Sequence, residues 1–287
     1  MNIDCRIETL TVRSLRYNLR LWGKPEAPTV FLLHGLLDTG ASFAPMVEAL
    51  AQDWQLIAPD WRGHGDTEED PRGYWFPDYV ADLDAIVKHY AAAKPVRLVS
   101  HSMGATVASL YAGLRPEQVT HLVCLDALNV PARTAKMVPD RYRSWLNAQL
   151  APPAPKTYSD VAELSSRISK RYPELKPEHI ERLANDWSRA TDGDRIRLAN
   201  DPRHFVASPY GFIPAHAMAV WALVTAKVFC LDGGDSPVHE WVAPEEMQQR
   251  RAAFKDCQRE VLPGCGHMLH LEQPQVVAQK IEEFLLS

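Results

Sequence analysis

Residues 96–105 read Val-Arg-Leu-Val-Ser-His-Ser-Met-Gly-Ala. An apolar run ends at Ser102, whose neighbours two positions away are Ser100 and Gly104, and helix-forming residues follow at once. A serine on so tight a strand-to-helix turn has its hydroxyl pushed into the open, and small flanking residues let the turn close. The next amide N–H, that of Met103, falls at a helix start and is aimed where negative charge would form in acyl transfer. Ser100 is a competing nucleophile by type, but Leu98 two positions before it is too bulky for such a turn.

Serine attacks poorly until a base takes its proton and a carboxylate orients that base. The base is read as His267, in Leu262-Pro-Gly-Cys-Gly-His267. A glycine-rich loop after the strand pattern at Gln258–Leu262 gives an imidazole room to reach a neighbouring loop. His101 flanks the serine and is expected to support its turn, while His270 is expected to pack or cap. Cys265 lies near the base but has no strand-turn-helix around it, which leaves it outside the nucleophile reading. His267 and His270 are spaced by three with no third ligand pattern, so no metal is expected. No dinucleotide or P-loop fingerprint occurs, so no organic cofactor is expected.

These residues need a scaffold. Val30–His34, Leu56–Pro59, Val96–Ser100, His121–Asp126 and Val228–Asp232 are short apolar runs that fit strands buried on both faces. Between them Phe43, Met46, Val47 and Leu50 repeat at helical spacing, as do Phe76, Val80, Leu83, Val87 and Tyr90. Val277, Ile281, Phe284 and Leu285 form a stripe after Pro274, a good first-turn residue. Alternating strands and helices imply a parallel sheet covered on both faces. Arg6–Val12 and Leu15–Trp22 read as a preceding antiparallel pair. The rhythm breaks near residue 131, where amphipathic helical pieces follow one another with no strand pattern between them. The expected organisation is a body of residues 1–130 and 226–287 with a helical cap over 131–225.

The 287 residues are 46% hydrophobic and 23% charged, ample for a buried core. A net charge of −5 gives no bulk attraction to nucleic acid. The chain opens with charged residues where a signal peptide would be apolar, and no apolar run reaches the roughly 18 residues of a membrane span. The five cysteines are widely spread, so a disulfide framework is not expected and the reducing cytoplasm is the expected compartment. Residues 131–226 hold 14 Lys and Arg against 10 Asp and Glu, leaving 17 against 26 elsewhere. That asymmetry fits a solvated helical face, with a polar or anionic substrate tail as the sharper alternative.

Four motifs in order carry a resemblance to the α/β-hydrolase family: His34-Gly35-Leu36-Leu37, Asp60-Trp-Arg62-Gly63-His64-Gly65, the Ser102 turn, and Gly266-His267. The Ser100-x-Ser102-x-Gly104 pattern departs from the family's G-x-S-x-G only at its first place. The resemblance implies an α/β-hydrolase fold: a mostly parallel eight-stranded sheet, helices on both faces, and a helical cap between the sixth and seventh strands. It also implies an oxyanion hole from the N–H groups of Leu36 and Met103. His34, Asp60 and Arg62 would then anchor loops. The family usually carries its acid after the seventh strand as Gly-x-x-Asp, but here that place holds Ser236, with Asp235 one residue short. Some members place the acid at the end of the sixth strand, which in this chain is Asp126. Asp126 is favoured, Asp235 is the alternative, and Asp232 is expected to point into the strand-end hydrogen bonds.

The implied activity is hydrolysis of a carboxylic ester or thioester by Ser102, Asp126 and His267 through an acyl-enzyme. C–C bond, lactone or amide hydrolysis and perhydrolysis use the same triad, and a ligand-binding protein that keeps the fold is a different class. The partner implied is a small-molecule substrate, with a monomer or homodimer as the default. Trp145, Trp187, Trp221, Phe205, Phe212 and Met218 are candidates for an acyl pocket or for the cap core.

Overall fold

The computed structural model describes residues 4–92 and 94–287. The first three residues, part of the terminus read as too polar for a signal peptide, lie outside the described residues. The sheet strands are β1 (Arg6–Val12), β2 (Leu15–Trp22), β3 (Thr29–Leu33), β4 (Gln55–Pro59), β5 (Val96–His101) and β6 (Val119–Leu125). Three short strands, β7 (Thr157–Tyr158), β8 (Ser188–Ala190) and β9 (Ile196–Leu198), follow outside the sheet, and β10 (Lys227–Gly233) and β11 (Cys257–Leu262) complete it. The eight sheet strands lie in the order β1-β2-β4-β3-β5-β6-β10-β11. β2 runs antiparallel to β1 and to β4, and the rest pair in parallel.

The continuous apolar runs of the parallel strands are sorted onto two faces by the period-2 alternation of side chains. Phe31, Leu33, Ile57, Leu98, Leu122 and Cys124 point into one core. Their sequence neighbours Val30, Leu32, Leu56, Ala58, Val99 and Val123 point into the other. The helices are α1 (Ala44–Glu48), α2 (Phe76–Ala91), α3 (Met103–Leu114), α4 (Val138–Leu150), α5 (Val161–Arg171), α6 (Pro177–Asp186), α7 (Pro214–Trp221), α8 (Pro244–Ala252), α9 (Leu269–Glu272) and α10 (Pro274–Leu285). The first core takes Leu83 and Val87 of α2, Val107 and Tyr111 of α3, Trp221 of α7 and Met247 of α8. Met46 of α1 and Val277, Ile281 and Phe284 of α10 fill the second. Among the described residues no helix is long and apolar enough to cross a membrane.

The segment between β6 and β10 corrects the reading of its 131–225 stretch as purely helical. Besides α4 to α7 it holds a small antiparallel sheet in the order β7-β9-β8. Strands of two or three residues are too short to show an alternating pattern in sequence. Here α5 and α6 bury Leu164, Ile168, Ile180 and Leu183 in a third cluster that also contains Met268 and Leu271 of the body. Met268 and Leu271, just after His267, thus pack directly with α5 and α6.

Candidate active site

Ser102 joins β5 to α3 with φ +52° and ψ −116°, a left-handed backbone that costs a non-glycine residue about 1–3 kcal/mol. The turn is held by the Ser102 N–H, which donates to the Leu125 carbonyl at 3.1 Å. A Cβ at Gly104 would lie 2.3 Å from the Leu33 carbonyl oxygen and 2.6 Å from that of His34, so only glycine lets α3 start this close to β3. Gly104→Ala must push α3 off the sheet end and is expected to lower stability by about 1–3 kcal/mol, read as a fall in melting temperature. Ser100 is fully buried and its Oγ donates to the Val123 carbonyl at 2.6 Å. The departure from a strict glycine pattern is therefore met by one internal hydrogen bond, and Ser100 has no exposure with which to attack.

His267 is partly exposed on the loop after β11. Its Nδ1 lies 2.6 Å from Asp126 Oδ2. Asp126 sits just beyond β6 with φ +46°, its N–H donating to the Leu231 carbonyl at 2.8 Å. Its Oδ1 accepts from the Gly233 N–H at 3.0 Å and its Oδ2 from Ser236 Oγ at 2.5 Å. Burial alone would raise its pKa, but hydrogen bonds from His239, His267 and Ser236 outweigh it and hold the carboxyl well below the usual range. With Nδ1–H committed to a carboxylate, His267 keeps Nε2 as its basic nitrogen, a tautomer assigned from the hydrogen-bond network. Asp235 is exposed and contributes only its N–H, to Cys265. Asp232 is buried against Arg251 and Arg259 at 2.7 and 2.8 Å, in the strand-end role expected of it. Cys265 is buried, and burial raises its thiol pKa further.

The turn after β3 presents Leu36, 48% exposed. Leu37 follows at φ +64° and donates its N–H to His64 Nε2 at 3.1 Å. A Cβ on Gly35 would lie 3.1 Å from that of Ser102, so this turn packs directly on the serine. Among the described residues neither the Leu36 nor the Met103 N–H has a protein acceptor. His34 anchors the turn: its Nε2 accepts from the Trp61 N–H at 2.8 Å, and the Trp61 indole donates to its carbonyl at 2.9 Å. Burial pushes the His34 pKa down to about 3, so it stays neutral.

Asp60 and Arg62 tie the next loop in place. Asp60 Oδ1 accepts from the Gly40 N–H at 2.8 Å and from Arg20 at 3.0 Å. Arg62 grips Asp82 with Nε and Nη2 at 2.7 and 2.8 Å, and Tyr17 donates to the same carboxylate. Both members of the Arg62–Asp82 pair are fully buried. Asp82→Asn removes the carboxylate that binds two nitrogens of the buried guanidinium, leaving Arg62 with Asp70 at 3.2 Å and Asp78 at 3.5 Å, and is expected to cost about 1–3 kcal/mol in urea unfolding.

Sequence reasoning missed His239, whose Nε2 lies 3.1 Å from Asp126 Oδ1 and donates to the Gly233 carbonyl at 2.9 Å. Nothing periodic marks a histidine in a polar turn, so no signal pointed to it. Its hydrogen bond to Asp126 raises its pKa above 6.5. A raised folded pKa stabilises most at low pH, and the contribution fades as pH rises through the folded value. His239→Phe should accordingly remove part of the stability difference between pH 6 and pH 8.5, measured by urea unfolding at both.

Asp38, His101 and His270 are all buried, each with one donor atom within 4.8 Å of the other two. Within this group Asp38 accepts from Ser42 and Trp187, His270 Nε2 lies 3.3 Å from Ser42 Oγ, and His101 Nε2 donates to the His267 carbonyl at 2.8 Å, while Nδ1 of His101 and Nδ1 of His270 are buried with no partner among the described residues.

The acyl-pocket candidates separate. Trp221 is fully buried and donates to Ser109 Oγ at 2.9 Å, so it is body core. Phe212 and Met218 pack on that same core. Trp145 and Trp75 line a cavity of about 120 Å³ that includes neither Ser102 nor His267. Phe205 is 62% exposed, and Trp187 Nε1 donates to Asp38 Oδ1 at 2.9 Å.

A strand-borne serine turn, a carboxylate-bound histidine and this sheet order define an α/β hydrolase. Residues 28–274 match the model of the α/β-hydrolase fold, and the chain belongs to that family. It is similar to a serine hydrolase-like protein of Danio rerio, 27% identical over 93% of this chain and 84% of that relative. It is also similar to the 2-(acetamidomethylene)succinate hydrolase of Mesorhizobium japonicum, 24% identical over 94% of this chain and 92% of that one. A hypothetical protein from Pseudomonas aeruginosa PAO1, of known crystal structure, superposes with a TM-score of 0.86 at 26% identity, covering 98% of this chain and 99% of that one.

Proposed function

We propose that this protein is a serine hydrolase of carboxylic esters or thioesters, with residues 131–225 acting as a lid on a body of 1–130 and 226–287. Ser102 Oγ attacks the acyl carbon as His267 Nε2 takes its proton, and Asp126 stabilises the imidazolium that results. The N–H groups of Leu36 and Met103 hold the oxyanion, and losing one such donor typically costs about 3 kcal/mol of barrier. His267 then returns the proton to the departing alcohol or thiol. In the second half it takes a proton from water, which cleaves the acyl-enzyme. The chemistry calls on no metal or cofactor.

The observation that carries this reading is the 2.6 Å contact between His267 Nδ1 and Asp126, which leaves Nε2 as the basic nitrogen. The test is a fluorophosphonate probe followed by peptide mapping, alongside a panel of p-nitrophenyl esters, acyl thioesters and lactones. One equivalent of label on Ser102 and turnover of an ester or thioester are expected. Labelling without ester turnover would move the reading to amide, lactone or C–C bond hydrolysis. An unlabelled, inactive protein would leave only a binding function.

A further inference from the structure

We propose that Asp38 is a positioning residue through which the seating of the lid sets the geometry of both halves of the catalytic site. The inference rests on the serine-hydrolase reading above. Asp38 belongs to the body but receives a donor from the lid: Trp187 Nε1 binds its Oδ1 at 2.9 Å. On its other oxygen it takes Ser42 Oγ at 2.7 Å, and His270 Nε2 lies 3.3 Å from that same hydroxyl. Ser42 gives its one proton to the carboxylate or to the Thr39 carbonyl at 3.0 Å, so His270 is the donor to Ser42.

From this one carboxylate two short paths run to the reacting groups. Along the chain, Asp38 is two residues from Leu36, on the turn whose shape depends on the left-handed Leu37. Through space, His270 is three residues from His267, and its ring lies tilted 4.7 Å from that of His101, whose own ring is 4.6 Å from that of His267. His101 in turn holds the His267 carbonyl at 2.8 Å. The lid also packs Leu164, Ile168 and Leu183 into one cluster with Met268 and Leu271, which directly follow this loop.

Asp38 is 3% exposed, and burial pushes its pKa up to about 6 against the pull of Ser42, Thr39 and Trp187. A buried carboxylate is a costly way to join two loops where a neutral amide would serve. Its use here makes sense as a charged acceptor that binds the lid indole firmly. With Trp187 seated, the Leu36 turn and the His267 loop are locked together. With it withdrawn, both lose the same support, and misplacement of reacting groups by about 1 Å costs up to about a hundredfold in rate.

The test compares Trp187→Phe, which keeps the ring and deletes only the N–H, with Asp38→Asn and the double variant. For Trp187→Phe we expect kcat to fall about tenfold with little change in KM. Amide exchange should speed up at residues 34–42 and 263–272, in the body and away from the substitution. The loss in Asp38→Asn should be larger, and adding Trp187→Phe to it should cost less than it costs the wild type, because the amide oxygen holds the indole more weakly than the carboxylate does. Wild-type kcat and exchange in Trp187→Phe, or losses that multiply in the double variant, would overturn the proposal. If Asp38→Asn does not fold, the kcat and exchange of Trp187→Phe decide alone. Fluorophosphonate labelling of the wild type separates the two levels. An unlabelled wild type removes the serine-hydrolase reading itself, whereas a labelled wild type with an unaffected Trp187→Phe removes only the role of Asp38.

Discussion

Asp126→Asn is expected to lower kcat by about 10⁴-fold while the protein stays folded. The side chain keeps its size, and its carbonyl oxygen can still accept from Gly233 or Ser236. What changes is the partner of His267. An amide nitrogen facing Nδ1 donates instead of accepting, so the imidazole proton moves to Nε2, and the ring can no longer take a proton from serine. Asp235→Asn, on an exposed side chain that makes no contact with His267, should stay within twofold. Ser236 already shares Asp126 Oδ2 with His267, so a carboxylate at 236 has a short path to the same imidazole. Ser236→Asp in the Asp126→Asn background is expected to recover part of the lost kcat, whereas Asp235 left in place recovers none. The acid limb of the wild-type rate profile carries a further sign. A carboxyl held well below its usual range stays ionised as pH falls through 4, so rate lost above that pH belongs to protonation of a base, not of Asp126.

Ser102→Ala is expected to lower kcat by about 10⁶-fold and abolish probe labelling, since histidine and acid cannot work without the nucleophile they serve. Removing the hydroxyl leaves the strained turn in place, because its backbone bonds to Leu125, Ala105 and Thr106 do not involve Oγ. The control is Ser100→Ala. It deletes the bond to the Val123 carbonyl and should cost about 1 kcal/mol of stability with kcat nearly unchanged. A large kcat loss in Ser100→Ala, or none in Ser102→Ala, would show that the wrong serine had been chosen.

The body of the fold was legible because buried parallel strands leave compact apolar runs, and the helices between them keep a 3.6-residue stripe. Arg6–Val12 and Leu15–Trp22 emerge with the bounds read from sequence, and the other sheet strands within one or two residues. The segment between β6 and β10 was less legible, as its three strands are too short for their alternation to register. The six aromatic and methionine candidates for a pocket could not be sorted in advance, because an apolar side chain looks the same whether it faces a ligand or a neighbouring helix.

The residue types and spacings around Ser102, His267 and the Leu36 turn depend on local geometry: a tight turn needs small flanks, a helix start offers free N–H groups, and a glycine loop gives an imidazole reach. Such constraints act over five to ten residues and are written in consecutive letters. The choice among Asp126, Asp235 and Asp232 is of another kind. All three lie near strand ends, and only the register of β6, β10 and β11 decides which carboxylate meets Nδ1 of a histidine from another loop. The contacts of His239 with Asp126 and of Trp187 with Asp38 depend likewise on how separate segments pack, and a polar side chain carries no mark of its distant partner.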